Sequence, residues 1–256
     1  MPNPTAAMIT IGDEILSGRT RDTNMIFLAR ALTERGIALR EARTLPDIAD
    51  EIVAAVTMLR TKYDHVFTSG GIGPTHDDIT ADCIAAAFGV AIDVREDARA
   101  ILASHYPNPE IDLNADRLRM ARIPEGAVLI DNPVSRAPGF TLGNVHVMAG
   151  VPAVFEAMVT GLLPRLTGGV RLRNLTLRIA LPEGELAGIL RDVDAAHPAV
   201  AIGCYPFSFG GRLGANVVLR AESDTALEAA GADLCGRPQL SGAVTRLDPA
   251  EESAAG

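Results

Sequence analysis

Along the first two thirds of the chain, short apolar runs alternate with stretches in which apolar residues recur at helical spacing. The runs are typical of strands buried on both faces, and they cover residues 6–11, 37–44 and 64–68. The helical stretches begin at Ile26, Asp47 and Ile79. This alternation predicts a mostly parallel sheet with helices on both sides, which is an α/β fold.

The middle of the chain has a less regular pattern. Residues 91–122 predict an irregular helical excursion, broken by the prolines at 107 and 109. Its arginines, Arg117, Arg119 and Arg122, could face phosphate, but we expect them on a solvated helix face. Two strands, each followed by a rigid proline and glycine turn, and a closing helix are then predicted at 127–130, 145–148 and 153–165.

The last third of the chain predicts a separate, smaller module after a Thr-Gly-Gly linker at 167–169. Strands and helices are predicted in the order 174–180, 183–196, 200–204, 215–221 and 225–235. This order is typical of the split-βαβ type of α+β domain. We therefore expect a first domain over 4–167, a small α+β domain over 171–247 and a disordered acidic tail over 248–256. The aromatic segment 205–211 is expected to be core or a dimer contact.

Composition narrows the class of protein. With 256 residues, 48% hydrophobic and 21% charged, the chain can bury a sizeable core. The net charge of −9 argues against nucleic acid as a partner, and no segment reaches the ~18 apolar residues of a membrane span. Three scattered cysteines suggest neither a disulfide framework nor a zinc site, which fits a reducing cytoplasm. We expect a cytoplasmic homo-oligomer, a dimer or trimer, that binds a small molecule.

The strongest candidate site is the segment 69–80, Ser-Gly-Gly-Ile-Gly-Pro-Thr-His-Asp-Asp-Ile-Thr, at a strand-to-helix crossing. Glycines at such a crossing allow backbone N–H groups to turn toward an anion, and the helix start adds donors and a positive dipole end. Asp77 and Asp78 would repel a phosphate there unless a cation lay between them. The simpler interpretation is that Asp78 caps the helix and the glycines form a turn, which leaves most of the segment unexplained.

Three aspartates follow three successive predicted strands: Asp13, Asp47 and Asp78. In a mostly parallel sheet the ligand lies beyond the carboxyl ends of the strands, so these side chains are expected to converge. Asp13 can also be a turn residue and Asp47 a helix N-cap. Together they have the composition of a magnesium–phosphate site, and we expect a divalent metal, Mg²⁺, Mn²⁺ or Co²⁺.

These segments resemble the N-terminal domain of competence/damage-inducible, CinA-like proteins, a branch of the molybdopterin-binding fold that includes the Mog and MoaB types. The resemblance covers most of residues 7–165. Its motifs are Gly-Asp-Glu-Ile-Leu-Ser-Gly at 12–18, Asp-Thr-Asn at 22–24, Leu-Pro-Asp at 45–47, the glycine segment 69–80, Asn-Pro-Val at 132–134, Ala-Pro-Gly-Phe at 137–140 and Gly-Val-Pro at 150–152. The glycine segment is very specific, and the other motifs support it.

The resemblance implies a three-layer α/β/α fold and a site made of these loops. The CinA-like relatives imply metal-dependent cleavage of nucleotide pyrophosphates such as ADP-ribose, and a related domain of eukaryotic FAD synthase implies action on FAD. Catalysis is then expected of Asp78, Asp47 and Asp77, and metal binding of Asp78, Asp47 and Asp13. The residues expected to bind substrate or phosphate are Ser69, Gly70, Gly71, Gly73, Thr75, Asn24, Ser135, Arg136 and Gly139.

Two alternatives remain open. The resemblance is also compatible with a non-hydrolytic molybdopterin-binding protein, or with a Mog-type adenylyltransferase in molybdenum cofactor biosynthesis, with molybdopterin as ligand. Two departures bear on the choice: Ser135-Arg136 replaces the usual Gly-Thr, and Val154 stands where family members commonly carry an acidic residue. The sequence stops near residue 256, so the deamidase activity of longer CinA proteins is not expected.

Overall fold

The computed structural model describes residues 3–209 and 212–247. It divides into two compact units, with the boundary between Val170 and Arg171. The expected disordered tail at 248–256 lies outside the described residues, and so does the tip of the aromatic segment at 210–211. Within the described part of the chain, no helix is both long enough and apolar enough to cross a membrane. The cytoplasmic location and the homo-oligomer stay predictions.

The first unit is built around one mixed sheet. The strands of this unit are β1 (Thr5–Ile11), β2 (Ala38–Leu45), β3 (His65–Ser69), β4 (Ile92–Val94), β5 (Arg122–Pro124), β6 (Val128–Ile130), β7 (Gly139–Leu142) and β8 (Val145–Met148), of which β4 and β5 form a separate pair. Its helices are α1 (Asp13–Leu16), α2 (Asn24–Glu34), α3 (Ala49–Lys62), α4 (Thr80–Phe88), α5 (Glu96–Ala103), α6 (Pro109–Asp112), α7 (Ala115–Leu118) and α8 (Pro152–Leu162).

The sheet gathers several strand ends at one edge. Its order is β2-β1-β3-β8-β7-β6, and the first four of these strands are parallel. Ile11 lies opposite Leu45, and Ser69 lies opposite Met148, so these four strands end together. β7 is antiparallel to both neighbours, and its first residue, Gly139, pairs with the last residue of β6. The loops after five strands therefore meet at one edge, which we call the carboxyl edge.

Helices cover both faces of this sheet. On one face, α2 and α8 contribute Leu28 and Phe155 to a buried apolar cluster. On the other face, α3 and α4 contribute Ile52 and Ile84 to a second cluster. Burial of these apolar side chains is the main term that stabilises the layers. The predicted three-layer α/β/α fold with a mostly parallel sheet is confirmed.

Two parts of this unit differ from the predicted pattern. β7 lies where the sequence predicts only a turn, and β4 pairs with β5 inside the predicted helical excursion. Both differences have the same cause. A strand of three or four residues is too short to display a two-residue period, and its proline or glycine neighbours indicate a turn.

The arginines of the excursion do not lie on a solvated helix face, so that prediction is wrong. Arg117 stacks over the Tyr106 ring, with 4.8 Å between the guanidinium carbon and the ring centre. Arg119 donates to the backbone carbonyl of Asp78 at 3.1 Å, and Arg122 forms a 2.7 Å ion pair with a carboxylate of α4. The guanidinium of Arg117 therefore packs within the excursion, whereas those of Arg119 and Arg122 tie the excursion to the glycine segment and to α4.

The second unit is an antiparallel sheet packed against helices. Its elements are β9 (Arg173–Ile179), α9 (Glu183–Ala196), β10 (Ala201–Phe209), β11 (Arg212–Ala221), α10 (Asp224–Cys235) and β12 (Val244–Arg246). The order β10-β11-β9-β12 confirms the split-βαβ arrangement, although the short β12 was not predicted. Tyr205 is 48% exposed and the half-buried Phe207 ring lies 5.2 Å from the guanidinium of Arg178, so this part of the aromatic segment is not core.

The glycines predicted as a linker pack against the first unit. The Gly169 N–H donates to the Arg35 carbonyl at 3.0 Å. The side chain of Asn3 donates to the Val170 carbonyl at 2.7 Å and accepts from its N–H at 2.8 Å. A Cβ at Gly169 would lie 2.6 Å from the Gly36 carbonyl oxygen. This glycine therefore serves close packing, and the two ends of the unit lie side by side.

A histidine pair, in which His146 is buried and His65 is half-buried, lies at the opposite edge of the sheet. His146 Nδ1 lies 3.0 Å from the Thr141 hydroxyl, and its Nε2 lies 3.2 Å from His65 Nδ1. His65 also bonds the carbonyl of Thr167, which can only accept, so the neutral His65 accepts from His146 and His146 accepts from Thr141. Burial lowers the pKa of His65, and burial together with His65 lowers the pKa of His146 to about 3.

We expect this pair to make the fold less stable in acid. His146 has an ordinary value of 6.5 in the unfolded chain and a folded pKa of about 3, so unfolding takes up a proton in this window. The contribution of His146 to the free energy of unfolding is fully present above the pKa of the unfolded chain. It is lost as the pH falls below that value, by up to about 1.4 kcal/mol per pH unit. His146→Gln should flatten the pH dependence of the free energy of unfolding, measured in urea.

The matched control is His76→Gln, because the His76 side chain is fully exposed. This variant should keep the wild-type slope. A slope for His146→Gln equal to that of the wild-type protein would contradict the assignment.

Candidate functional site

A cavity of about 700 Å³ opens at the carboxyl edge of the first unit. Its walls come from the loops after β1, β2, β3, β6 and β8, together with Met120 of the excursion. This volume is typical of small-molecule sites. The predicted site residues that line the cavity are Asp47, Asp77, Asp78, Gly70, Gly71, Gly73 and Ser135.

The glycine loop needs its glycines for close packing. Gly70 and Gly71 have φ angles of 105° and 69°, in the region that favours glycine. A Cβ at Gly70 would lie 2.3 Å from the Ile11 carbonyl oxygen, and one at Gly71 would lie 2.1 Å from the Thr80 hydroxyl. A Cβ at Gly73 would lie 2.6 Å from the carboxylate of Asp78. The loop is therefore pressed against β1, α4 and its own aspartate.

Only some of the backbone N–H groups that were predicted to bind an anion are available to a ligand. The Gly70 N–H donates to the Met148 carbonyl at 3.1 Å, and the Thr75 N–H donates to the Asp78 carboxylate at 2.8 Å. These two amides are therefore used by the chain. The N–H groups at 71–73 make no hydrogen bond within the described residues. Three successive free donors in a loop form a concave site suited to an anion.

Asp47 lies in the cavity wall and does not cap a helix. The N-cap of α3 is Ile48, without a capping side chain, and the Asp47 carboxylate accepts from the Asp13 N–H at 3.2 Å. Partial burial raises the pKa of Asp47. The Asp13 N–H opposes this shift, and the negative charges of Asp13, Glu14 and Asp77 add to it. Asp47 is therefore easier to protonate than an ordinary aspartate.

Asp78 also does not cap a helix, because the N-cap of α4 is Ile79 and no side chain caps it. The Asp78 carboxylate instead accepts from the N–H and the hydroxyl of Thr75, at 2.8 and 2.5 Å. The Thr75 hydroxyl also lowers the pKa of Asp77, which is exposed. Both alternatives that treated Asp47 and Asp78 as helix caps are wrong.

The structure does not bring Asp13, Asp47 and Asp78 together around one point. Within the described part of the chain, no three side chains of His, Cys, Asp or Glu are arranged to hold a metal ion. Asp13 is exposed and supports Asp47 through its backbone N–H. Asp47 and Asp78 line the cavity, and each carboxylate is oriented by its own backbone donor. The amino-acid sequence cannot show these local bonds, which is why the three aspartates looked equivalent.

Asn24 and Ser69 lie beneath the cavity and do not line it. Both are buried. The Asn24 amide donates to the Ser69 hydroxyl at 2.8 Å and to the Gly150 carbonyl at 2.7 Å. Because a carbonyl accepts only, this bond fixes the orientation of the amide. Asn24 thus holds the loop after β8 against the end of β3.

Buried Asn132 organises the loop between β6 and β7. Its side chain accepts from the N–H groups of Val134 and Ser135, and it donates to the Ser135 hydroxyl at 2.6 Å and to the Ala137 carbonyl at 2.8 Å. Arg136, held in this loop, has a φ of 61° and is exposed. A non-glycine residue in this region is strained, and the Asn132 bonds maintain it. Ser135 lines the cavity, and Arg136 lies outside the lining.

Gly139 also lies outside the cavity lining. It is buried at the start of β7, and a Cβ there would lie 2.3 Å from the Val147 carbonyl oxygen. Its role is therefore close packing of β7 on β8. The lining residues that sequence reasoning missed include Glu14, Met120 and Val151. Glu14 follows Asp13 after β1 and could have been found by that position, whereas Met120 carries no signal.

The glycine loop makes a prediction about stability. Gly18 and Gly71 have nearly equal φ angles, 72° and 69°, but a Cβ at Gly18 would meet nothing within 4 Å. Gly18→Ala should therefore lower the free energy of unfolding only through backbone strain, by about 1 kcal/mol. Gly71→Ala adds the clash with Thr80 and should lose roughly 1–3 kcal/mol more, measured by chemical denaturation.

The Gly18 variant is itself the matched control, since the two positions have the same backbone conformation and differ only in the room available to a Cβ. Equal losses for both variants would mean that α4 moves away freely, contrary to the packing described.

Two family models cover most of the chain. Residues 7–168 match the family described as "Probable molybdopterin binding domain", and residues 171–244 match "FAD synthase, middle domain". The first match covers more than half of the chain. The two matched segments meet at the boundary between the two compact units.

Relatives and solved structures agree with these matches. A protein of Pyrobaculum calidifontis is 37% identical over 79% of this chain and 81% of its own length. A CinA-like protein of Desulfosudis oleivorans is 34% identical over 77% of this chain and 51% of its own length. A crystal structure of the protein CinA, of unknown function, from Thermoplasma acidophilum is 37% identical with a TM-score of 0.58, covering 63% of this chain and 98% of that one. The chain therefore belongs to the family of the probable molybdopterin binding domain, and its relatives include CinA-like proteins.

Proposed function

We propose that this protein is a divalent-metal-dependent hydrolase that cleaves the diphosphate of a nucleotide such as ADP-ribose or FAD. The observation that carries the proposal is the composition of the cavity wall. Three free loop amides lie beside four carboxylates, those of Glu14, Asp47, Asp77 and Asp78. Among the described lining residues there is no lysine, arginine or histidine.

Charge balance supports a cation in this cavity. Four carboxylates would repel a diphosphate, because like charges at short range are strongly unfavourable away from bulk water. Mg²⁺ commonly binds through one or two carboxylates and completes its shell with water and substrate phosphate. Asp78 fits that demand as a protein ligand, with phosphate and water completing the shell, and Asp47 is left free to accept a proton. When bound, the cation would neutralise charge on the phosphate oxygens.

The residues of the chain supply the remaining steps. The N–H groups at 71–73 would donate to phosphate oxygens and orient them. A water oxygen then bonds to phosphorus, the bond from phosphorus to the bridging oxygen breaks, and the water proton passes to a carboxylate. Asp47, with its raised pKa, suits that proton better than Asp77, whose pKa is lowered. Asp77 remains ionised and contributes charge.

We expect Asp78→Asn to reduce metal-stimulated release of AMP from ADP-ribose or FAD by at least about 100-fold. Asparagine retains an acceptor for Thr75, so the turn should persist while the charge is lost. Activity should vanish with EDTA and return with Mg²⁺, Mn²⁺ or Co²⁺. The readout is AMP release by chromatography.

Asp192→Asn, on an exposed position of α9, removes the same charge outside the cavity and is the matched control. It should keep full turnover. Wild-type turnover by a folded Asp78→Asn protein would refute the role of Asp78.

The charge of Asp13 gives a test of pH dependence. Asp13→Asn retains the backbone N–H that Asp47 accepts from and removes a charge that raises the pKa of Asp47. The acidic limb of kcat/KM, which reports a base in the free enzyme, should therefore move to lower pH. Metal affinity should change little. An unmoved limb together with a large loss of metal affinity would identify Asp13 as a ligand and overturn this assignment.

The family match favours one alternative, a molybdopterin-binding protein without hydrolase activity. A Mog-type adenylyltransferase is a third candidate. Native mass spectrometry of protein purified from its own host distinguishes the two functions. A copurified pterin would support the alternative. Copurified AMP would support hydrolysis.

A further inference from the structure

A second cavity, of about 280 Å³, opens at the edge of the first unit where β3 and β8 begin. One wall is a row of side chains that crosses the sheet. Thr141 of β7 lies opposite His146 of β8 and opposite Val128 of β6, and His65 of β3 is bonded to His146. The segment 162–167, at the end of α8 and after it, forms another wall. We call this space the amino-edge cavity.

The histidine rings of the amino-edge cavity have no nitrogen left for a ligand. His146 is bonded to Thr141 at 3.0 Å and to His65 at 3.2 Å, and His65 is also bonded to the Thr167 carbonyl. Each ring nitrogen therefore has a partner within the chain. The pair contributes a flat surface, and a charged ligand has to be held by other groups.

Arg165 is the only arginine or lysine among the described lining residues of this cavity. Its Nη1 donates to the Leu129 carbonyl at 3.3 Å, and within the described chain it makes no other hydrogen bond and no ion pair. Burial lowers the pKa of His146, and the charges of His65 and Arg165 lower it further, so the guanidinium lies near that wall. Its Nε and Nη2 groups are free to bind an anion.

Three aliphatic side chains line the cavity on the same side as Arg165, namely Val128, Leu162 and Leu166. Leu162 is buried, Leu166 is half-buried and Val128 is 52% exposed, so apolar surface extends from the interior to the opening. Such surface binds a hydrocarbon group through release of water and close contact. The guanidinium and this surface together suit a ligand that is anionic at one end and apolar in its body.

Asp64 limits the charge of such a ligand. It directly precedes β3, whereas Arg165 is bonded to a carbonyl of β6, three strands away in the sheet. Asp64 Oδ2 accepts from the N–H and the hydroxyl of Thr5, both at 2.7 Å, which fixes the carboxylate at that end of the cavity. A second negative charge on the ligand would be repelled there.

We propose that the amino-edge cavity binds a small monocarboxylate with a branched aliphatic body. One guanidinium satisfies one carboxylate through two parallel hydrogen bonds. The volume lies at the lower end for small-molecule sites, so the body is short. This site uses no residue of the carboxyl edge and is independent of the proposed hydrolysis.

The test is binding to the full chain, followed by amide NMR shifts, which report affinity and location together. The probe is 4-methylpentanoate, compared with its neutral amide, 4-methylpentanamide, and with glutarate, a dicarboxylate of similar length. The monocarboxylate should shift the amides of residues that line the cavity. The neutral amide and glutarate should bind roughly tenfold more weakly or less well still, because each lacks one part of the match.

Arg165→Gln should weaken binding of 4-methylpentanoate roughly tenfold and leave the affinity for 4-methylpentanamide unchanged. Arg191→Gln removes the same charge from an exposed position of α9 and is the matched control, with wild-type affinity expected. Equal weakening by both variants would indicate only general attraction of anions and would overturn the proposal. Absence of binding at millimolar concentration, equal affinities for the acid and its amide, or shifts confined to residues outside the cavity would also overturn it.

Discussion

The close approach of three strand ends at Gly70 is the constraint on which the whole carboxyl edge depends. A Cβ at Gly70 would lie 2.3 Å from the Ile11 carbonyl oxygen, and one at Gly150 would lie 3.2 Å from the Gly70 Cα. The Gly70 N–H also donates to Met148, at the end of β8. At the point where β1, β3 and β8 meet, backbone atoms therefore pack directly against one another, with no side chain between them. The loops that carry carboxylates, amides and apolar side chains share one cavity because of this contact.

The same edge is kept rigid by buried amides. Asn24 holds the loop after β8 to the end of β3, and Asn132 closes the loop between β6 and β7 on itself. Buried amides bonded in this way specify one backbone arrangement, although the Asn24 Oδ1 has no hydrogen-bond partner among the described residues. The strained Arg136 depends on such support, because it would relax from a positive φ without it.

The amino-acid sequence predicts the layers of the fold and the position of the cavity, but only part of its chemistry. Long elements such as α3 and α9 have clear periods, and the strand-end rule correctly brings the glycine loop and Asp47 to one edge. The sequence does not reveal that the N–H groups of Gly70 and Thr75 are already hydrogen-bonded within the chain. Their acceptors are the Met148 carbonyl and the carboxylate of Asp78 in a local turn. Nor does it distinguish Gly139, which serves packing, from Gly73, which lines the cavity. Contacts that appear only in the folded chain decide both cases.

The paired ends of the first unit have a consequence for how such a domain can be combined with others. Asn3 and Val170 exchange two hydrogen bonds, so the chain enters and leaves this unit at nearly one point. A domain with adjacent termini can be inserted into a surface loop of another protein, or circularly permuted, without stretching its fold. The α/β/α unit is therefore a portable module, able to be grafted whole into a host chain.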